Sequence, residues 1–352
     1  MKVLIMAGGT GGHVFPALAV ADELKARGHE VVWMGAPDSF ESKRVPSHGI
    51  AMEYIRVSGL RGKGVKKLLT APLLILRAVL DALAALKRQR PAVVLGMGGF
   101  AAGPGGLAAW LTHRPLVIHE QNAAAGLTNR LLARIAIRVL EAFPRTFARA
   151  QAVGNPVRAG FILLPGPRDR LNRNTRRVVV IGGSQGARAF NERMPEALKR
   201  IPAERRPEVL HQAGRTLDVA REAYAKAGVQ GDVRQFIDDV PAAFAWADLV
   251  LCRAGASTIA EIAAAGCASI LVPYPHAVDD HQTRNAEYLE SAGAAVLIQE
   301  DDLTVEKLAE TIDALLSDRE RLISMAEAAR TRAWPRSTQT IVGEILAVGG
   351  AA

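Results

Sequence analysis

MKVLIMAGGTGGHVFPALAVADELKARGHEVVWMG, residues 1–35, is the stretch that decides the fold. Lys2 to Ala7 is a short apolar run of the kind a fully buried parallel strand needs. Ala17 to Ala26 carries apolar residues at helical spacing, and a second apolar run follows at Glu30 to Gly35. Strand, turn, helix and strand in that order open a parallel α/β sheet. Gly8, Gly9, Gly11 and Gly12 leave little side chain between backbone and ligand. A helix N-terminus after such a turn offers N–H groups and a positive dipole end to an anion, most simply a diphosphate. A nicotinamide or flavin dinucleotide does not fit. Gly9-Thr10-Gly11 has no third glycine in the expected place, and the second strand ends without the Asp or Glu that would hold a ribose. Close strand-to-helix packing is the other use of such glycines, and the turn alone leaves both open.

The theme recurs. RRVVVIGGSQGARAFNERMPEAL begins near Arg177, with its turn at Gly182, Gly183, Ser184, Gln185 and Gly186. Between the two halves, Pro156, Pro165, Gly166 and Pro167 break regular structure, and Arg168 to Arg177 is polar and charged, the composition of an interdomain linker. Further strands are expected at Ala92–Gly96, Leu116–His119 and Ile137–Leu140 in the first half. In the second they are expected at Glu208–Gln212, Asp248–Cys252, Ser269–Pro273 and Ala295–Ile298, alternating with helical stretches. The fold class is therefore α/β, with two doubly wound, Rossmann-like domains facing a cleft. Ligands in such sheets bind beyond the carboxyl ends of the strands. The expected division is 1–160 and 161–334, with a C-terminal helix at about 335–352 (core Thr338 to Ala347) packing back on the first domain.

At 352 residues and 49 % hydrophobic content the chain can bury two ordinary cores. Its two cysteines, Cys252 and Cys267, have neither metal-ligand spacing nor the density of a disulfide scaffold, which fits a reducing cytosol. The first strand begins within a few residues of Met1, in place of a charged leader and cleavage site, so export is not expected. The nearest approach to a spanning helix, Leu68 to Leu86, contains Arg77 and Asp81. A net charge of +9 calls for an anionic partner without choosing among nucleic acid, phospholipid and a phosphorylated substrate. Nucleic acid is the weakest of these, because the basic residues are not interleaved with an aromatic platform.

CRAGASTIAEIAAAGCASILVPYPHAVDDHQTRNA, following the strand at Asp248 to Cys252, is the most specific segment. Gly255, Ala256, Ser257 and Thr258 precede a helix whose early amides suit a phosphate, and Glu261 sits where a carboxylate accepts two ribose hydroxyl hydrogens. A capping box built from Ser257 or Thr258 with Glu261 is the plainer reading, and the two are compatible. Asp279, Asp280, His281 and Gln282 suit the hydroxyls of a sugar. The rival use, a metal held by His276, Asp279, Asp280 and His281, accounts less well for the glutamine.

With GGTGGH, GMGGFAAGP, HEQN and GGSQGA, this segment makes nearly the whole chain resemble the MurG family, N-acetylglucosaminyltransferases that convert lipid I to lipid II in peptidoglycan synthesis. The resemblance implies the B-type glycosyltransferase fold, with the nucleotide sugar held mainly by the C-terminal domain and the acceptor by the N-terminal one. It implies that the Ile237 backbone bonds uracil and Glu261 the ribose. Ser184 and the amides around Ala256, Ser257 and Thr258 would contact the diphosphate, with Arg158 also at the donor. Asn122 and Gln282 would bond the sugar hydroxyls, while Thr10, Gly11 and Gly12 would lie near donor and acceptor. The turn Gly96 to Pro104, with Gly98, Gly99 and Gly103, would cradle the diphosphate of the lipid acceptor.

The implied reaction attacks the anomeric carbon of UDP-N-acetylglucosamine with the 4-hydroxyl of the muramyl sugar, expelling UDP with inversion. His13, since an imidazole is the side chain suited to taking a proton near neutrality, and Glu120 are the two candidate bases; a purely hydrogen-bonding His13 is the alternative. No cofactor or metal is called for, since helix amides and Ser184 can stabilise the departing diphosphate. The acceptor is an undecaprenyl-diphosphate-linked muramyl pentapeptide, so a peripheral position on the cytoplasmic face of the bacterial inner membrane is expected, alongside other cell-wall synthesis proteins. The stretch VKKLLTAPLLILRAVLDALAALKRQR offers Leu73, Leu74, Ile75, Leu76, Val79, Leu80 and Leu83 beside Lys66, Lys67, Arg77, Lys87, Arg88 and Arg90, too many apolar residues for one narrow stripe. Anionic lipid docking and a core helix with basic ends both fit it; Trp110 is a further candidate for lipid or core. Competing functions are a UDP-sugar epimerase, a diacylglycerol glucosyltransferase and a non-enzymatic membrane-surface module.

Overall fold

The computed structural model describes residues 1–57, 64–183 and 186–350, and the side chains of all of these except 64–70. The chain divides into two units, Met1–Pro156 with Arg336–Ala352, and Val157–Pro335. Val157 to Gly160 therefore belong with the second unit, whereas the sequence points to a break after 160.

The first unit is built on seven parallel strands: β1 (Lys2–Met6), β2 (Glu30–Gly35), β3 (Ala51–Tyr54), β4 (Val93–Gly96), β5 (Leu116–Glu120), β6 (Arg138–Glu141) and β7 (Gln151–Ala152). Their order is β3-β2-β1-β4-β5-β6-β7. The chain winds one way from β1 and then the other, so the loops leaving β1 and β4 lie side by side where the order reverses. That is the place such sheets reserve for ligands. Val3, Ile5, Val93 and Leu95 face the helices Gly11–Ala26 and Ser337–Gly350, whereas Leu4, Met6, Val94 and Ile118 face Gly64–Gln89 and Ala102–Leu111. The C-terminal helix buries Ile341, Val342 and Ile345 in the first unit's core.

The second unit repeats the plan with β8 (Arg177–Ile181), β9 (Glu208–Gln212), β10 (Asp232–Arg234), β11 (Leu249–Cys252), β12 (Ser269–Leu271) and β13 (Ala295–Leu297), all parallel. Their order is β10-β9-β8-β11-β12-β13. Its reversal lies between β8 and β11, so the chain leaves those two paired strands side by side.

Three strands carry no apolar signal in the sequence: β3, β7 and β10. Each closes one edge of its sheet and pairs on one side only, so it needs neither the length nor the apolar run of a central strand. The first helix also starts earlier than its apolar spacing indicates, at Gly11, running through Pro16. Proline removes one helical hydrogen bond there but does not end the helix.

The segment expected to be an interdomain linker is instead part of the second unit. It forms the short helices Ala159–Ile162 and Pro167–Leu171. Phe161 is fully buried, edge-on to Phe244 with ring centroids 5.3 Å apart. Arg170 is also buried, donating to the carbonyls of Pro165, Phe244, Ala265 and Gly266.

Two central-strand histidines make the fold acid-sensitive. Burial pushes His119 of β5 and His211 of β9 from 6.5 down to about 4. Between those values the unfolded chain binds a proton that the folded imidazole refuses. Stability is therefore full above about pH 6.5 and falls as pH drops toward 4, by up to about 3 kcal/mol per histidine. Urea midpoints measured from about pH 7 to about pH 5 should fall, and His211→Gln should flatten the second unit's share of that slope. A midpoint independent of pH over that range would contradict the account.

Candidate active site

In the first unit, the turns leaving β1 and β4 touch. Gly98 and Gly99 have φ of +90° and +86°, and a Cβ on Gly99 would fall 2.4 Å from the Gly8 carbonyl oxygen. A Cβ on Gly98 would fall 2.7 Å from His13 Nδ1. Glycine is thus required at both positions by backbone sign and by contact. The expected turn Gly96 to Pro104 is shorter than its composition indicates: a helix begins at Ala102, so Gly103 lies in its first turn. Thr10 is the exposed N-cap of Gly11–Ala26 and makes no side-chain cap bond, so the helix opens on Gly11 and Gly12 with no hydroxyl over their amides. Gly9 differs, because its N–H donates to the buried carboxylate of Glu41 at 3.0 Å, which also accepts from Ala36 N. Glu41, which the sequence did not single out, ties this turn to the loop leaving β2.

His13 is half-buried in the first helical turn, with Nδ1 3.0 Å from Gln121 Oε1. Gln121 and its strand neighbour His119 are fully buried. Glu120, one residue over and on the opposite side of the strand, accepts from Asn122 N, Asn122 Nδ2, Gly126 N and Asn129 Nδ2 at 2.9 to 3.3 Å. Both carboxylate oxygens are engaged in shaping the loop that presents Asn122. The alternation of HEQN, with His119 and Gln121 to one side and Glu120 and Asn122 to the other, was the signal that could have separated a His13 partner from a loop organiser.

In the second unit, Arg158 Nη2 donates to Glu261 Oε1 at 3.0 Å, and its guanidinium lies over the Phe161 ring at 4.9 Å. Burial pushes the Glu261 carboxyl up, and Arg158 pulls it back down. Two residues 103 positions apart, each assigned to the donor, are therefore in contact. The capping box does not form: Gly255 is the N-cap of Ala256–Ala265 and there is no side-chain cap bond. The amides of Ala256, Ser257 and Thr258 form the first turn of that helix, and among the described residues Ser257 Oγ is buried with no hydrogen-bond partner. The Ile237 amide donates to the buried Gln212 Oε1 at 3.0 Å, which engages the backbone N–H of the residue that the resemblance assigns to uracil. Gln282 Oε1 accepts from Tyr274 N at 2.9 Å, at the start of His281–Glu290. Ser184 lies outside the described residues. Among the described residues, no group of three or more His, Cys, Asp or Glu side chains is placed to hold a metal ion.

The helix Gly64–Gln89 resolves the excess of apolar residues. Ala78, Val79, Ala82, Ala85 and Leu86 are buried, whereas Leu73, Leu76 and Leu80 are 54 to 55 % exposed along one outward stripe with Arg77. Trp110, on the neighbouring helix Ala102–Leu111, is half exposed. Lys66 and Lys67 lie in the helix, but their side chains are outside the described residues. No helix among the described residues is long and apolar enough to cross a membrane.

Residues 3–141 match the glycosyltransferase family 28 N-terminal domain and residues 177–341 its C-terminal domain. A UDP-N-acetylglucosamine–N-acetylmuramyl-(pentapeptide) pyrophosphoryl-undecaprenol N-acetylglucosamine transferase of Xanthomonas euvesicatoria is 54 % identical over 99 % of this chain and 81 % of its own length. A protein of the same name from Alkalilimnicola ehrlichii is also 54 % identical, over 97 % of both chains. The crystal structure of Acinetobacter baumannii MurG superposes with a TM-score of 0.88 at 41 % identity, covering 98 % of this chain and 99 % of that one. The chain therefore belongs to glycosyltransferase family 28 and, within it, to the MurG family of N-acetylglucosamine transferases.

Proposed function

We propose that this protein is an inverting hexosyltransferase. It moves N-acetylglucosamine from UDP-N-acetylglucosamine to the 4-hydroxyl of the muramyl sugar of undecaprenyl-diphosphate-linked muramyl pentapeptide, giving lipid II and UDP in peptidoglycan synthesis. The observation that carries this reading is 54 % identity, over nearly the full chain, to enzymes named for that transfer. The glycine turns at both sheet reversals support it.

In the reaction, the acceptor oxygen attacks the anomeric carbon as the carbon–oxygen bond to UDP breaks, and the hydroxyl proton passes to His13 Nε2. Glu120 shapes the loop that offers Asn122 to the sugar and is not the base, because both of its oxygens are occupied. Glu261 accepts from the ribose hydroxyls beside Arg158, and the N-terminus of Ala256–Ala265 stabilises the charge that develops on the diphosphate. The helix amides serve the leaving group, so the step is assigned no metal. Purified protein, labelled UDP-N-acetylglucosamine and a lipid I analogue should yield β-linked disaccharide and UDP, with activity surviving chelation of divalent metal. Absence of transfer would sink the reading.

Glu261→Gln removes the charge from two hydrogen bonds to the ribose. The donor KM should rise roughly tenfold to a hundredfold, with kcat much less affected. An unchanged donor KM would remove Glu261 from the ribose site.

The stripe of Leu73, Leu76 and Leu80 with Arg77, together with the half-exposed Trp110 of the neighbouring helix, serves as a peripheral contact with anionic phospholipid, bringing the protein to its lipid-linked acceptor. Leu76→Glu/Leu80→Glu should abolish sedimentation with phosphatidylglycerol vesicles while sparing turnover of a water-soluble acceptor. Undiminished sedimentation would place lipid contact elsewhere.

A further inference from the structure

A chain of hydrogen bonds runs from the middle of the first sheet to His13, and each step of it has a forced direction. His119 Nε2 lies 2.9 Å from the Gly154 carbonyl oxygen. A carbonyl only accepts, so Nε2 carries the hydrogen, and in the neutral ring Nδ1 is then a bare acceptor. Burial keeps this imidazole neutral at physiological pH. The group facing His119 Nδ1 is the terminal amide of Gln121 at 3.3 Å, which must turn its NH₂ inward to donate. Its Oε1 is thereby aimed at His13 Nδ1, 3.0 Å away. An amide oxygen only accepts, so His13 carries its hydrogen on Nδ1. Asn155 Nδ2 holds the Gln121 carbonyl at 2.9 Å and fixes the residue from behind. Gln121, His119 and Asn155 are all buried, so water does not scramble the order.

We propose that Gln121 is a positioning residue for the transfer: oriented by His119, it holds His13 in the Nδ1–H tautomer and leaves Nε2 as the lone pair that takes the acceptor's proton. This deepens the reading of His13 as base and rests on it. The partner is a neutral amide where many catalytic histidines use a carboxylate. It selects the tautomer and the ring orientation without adding a negative charge beside a diphosphate substrate. Gly98 completes the arrangement, since any side chain there would occupy the Nδ1 side of the ring.

Two measurements test it. The first is the tautomer itself, read from imidazole ¹⁵N shifts of the full-length protein, which distinguish a nitrogen bearing hydrogen from a bare one. Neutral His13 should show hydrogen on Nδ1 and His119 on Nε2, and Gln121→Met should leave His13 a mixture of tautomers. Hydrogen on His13 Nε2 in the unaltered protein overturns the proposal, whatever the base proves to be.

The second is kinetic. Gln121→Met, nearly isosteric, should lower kcat roughly tenfold to a hundredfold, part of the about 10²- to 10⁴-fold that a positioned base supplies. Its donor KM should stay within about twofold of the unaltered enzyme's. Gln121→Glu keeps an acceptor toward Nδ1 and should recover much of that loss, although a buried carboxylate is the worse choice for packing alone. Equal damage from both variants, or full turnover of Gln121→Met in an enzyme that His13→Ala inactivates, overturns the positioning role. An active His13→Ala enzyme instead defeats the base reading, and leaves the tautomer result to stand or fall separately.

Discussion

Replacing His13 with alanine should lower kcat by about 10²- to 10⁴-fold, the range a positioned general base supplies, while the donor KM changes by no more than about twofold. The separation follows from where the ring sits. His13 belongs to the first unit, held by Gln121 and Gly98, whereas Arg158, Glu261 and Ser257 belong to the second. Removing the ring takes away the group proposed to accept the sugar proton and leaves the groups assigned to the nucleotide intact. Steady-state kinetics over both substrates decides the point. A variant that keeps its kcat and loses donor affinity would reject His13 as base and make it a binding residue.

A second large effect is expected far from the chemistry. Arg170→Ala should destabilise the second unit by about 3 kcal/mol or more, because four carbonyls lose a charged donor in a site closed to water. That is a large share of the roughly 5–15 kcal/mol that holds a domain folded. Two of those carbonyls, Ala265 and Gly266, close the C-terminal end of the helix whose N-terminus is assigned to the donor diphosphate. Arg170 opposes that end of the helix dipole with positive charge, so its loss should raise the donor KM as well as lower the unfolding midpoint. Arg170→Lys should recover little, since one ammonium cannot reach carbonyls that the guanidinium fork spans. A loss under about 1 kcal/mol in urea unfolding would show that the carbonyls find other donors.

Legibility followed burial. β1, β2, β4, β5, β8, β9 and β11 lie inside their sheets, and each is announced by an apolar run because both faces are covered. Three of the four edge strands, β3, β7 and β10, gave no such sign; the fourth, β13, did. Pro165-Gly166-Pro167 and the arginines after it read as a linker, because composition counts polar residues without knowing their partners. Phe161 and Arg170 are buried all the same, since carbonyls brought from 74 to 96 positions away satisfy the guanidinium. Of the residues assigned to the donor, Glu261 and Arg158 were each singled out from their motifs, but their contact was not. Glu41, Gln121 and Gln212 were missed, because a residue that orients another has no spacing signature of its own.

The sequence by itself determined two glycine-turned, doubly wound halves and the chemical types at their loops, because apolar periodicity and turn glycines are local properties of the chain. Only the tertiary structure decided which of those groups meet. It closed the turns leaving β1 and β4 on each other, engaged both oxygens of Glu120 in a loop, and set Gln121 between His119 and His13. Hydrogen-bond direction is a property of pairs, and those pairs exist only after strands and helices distant in sequence have packed together.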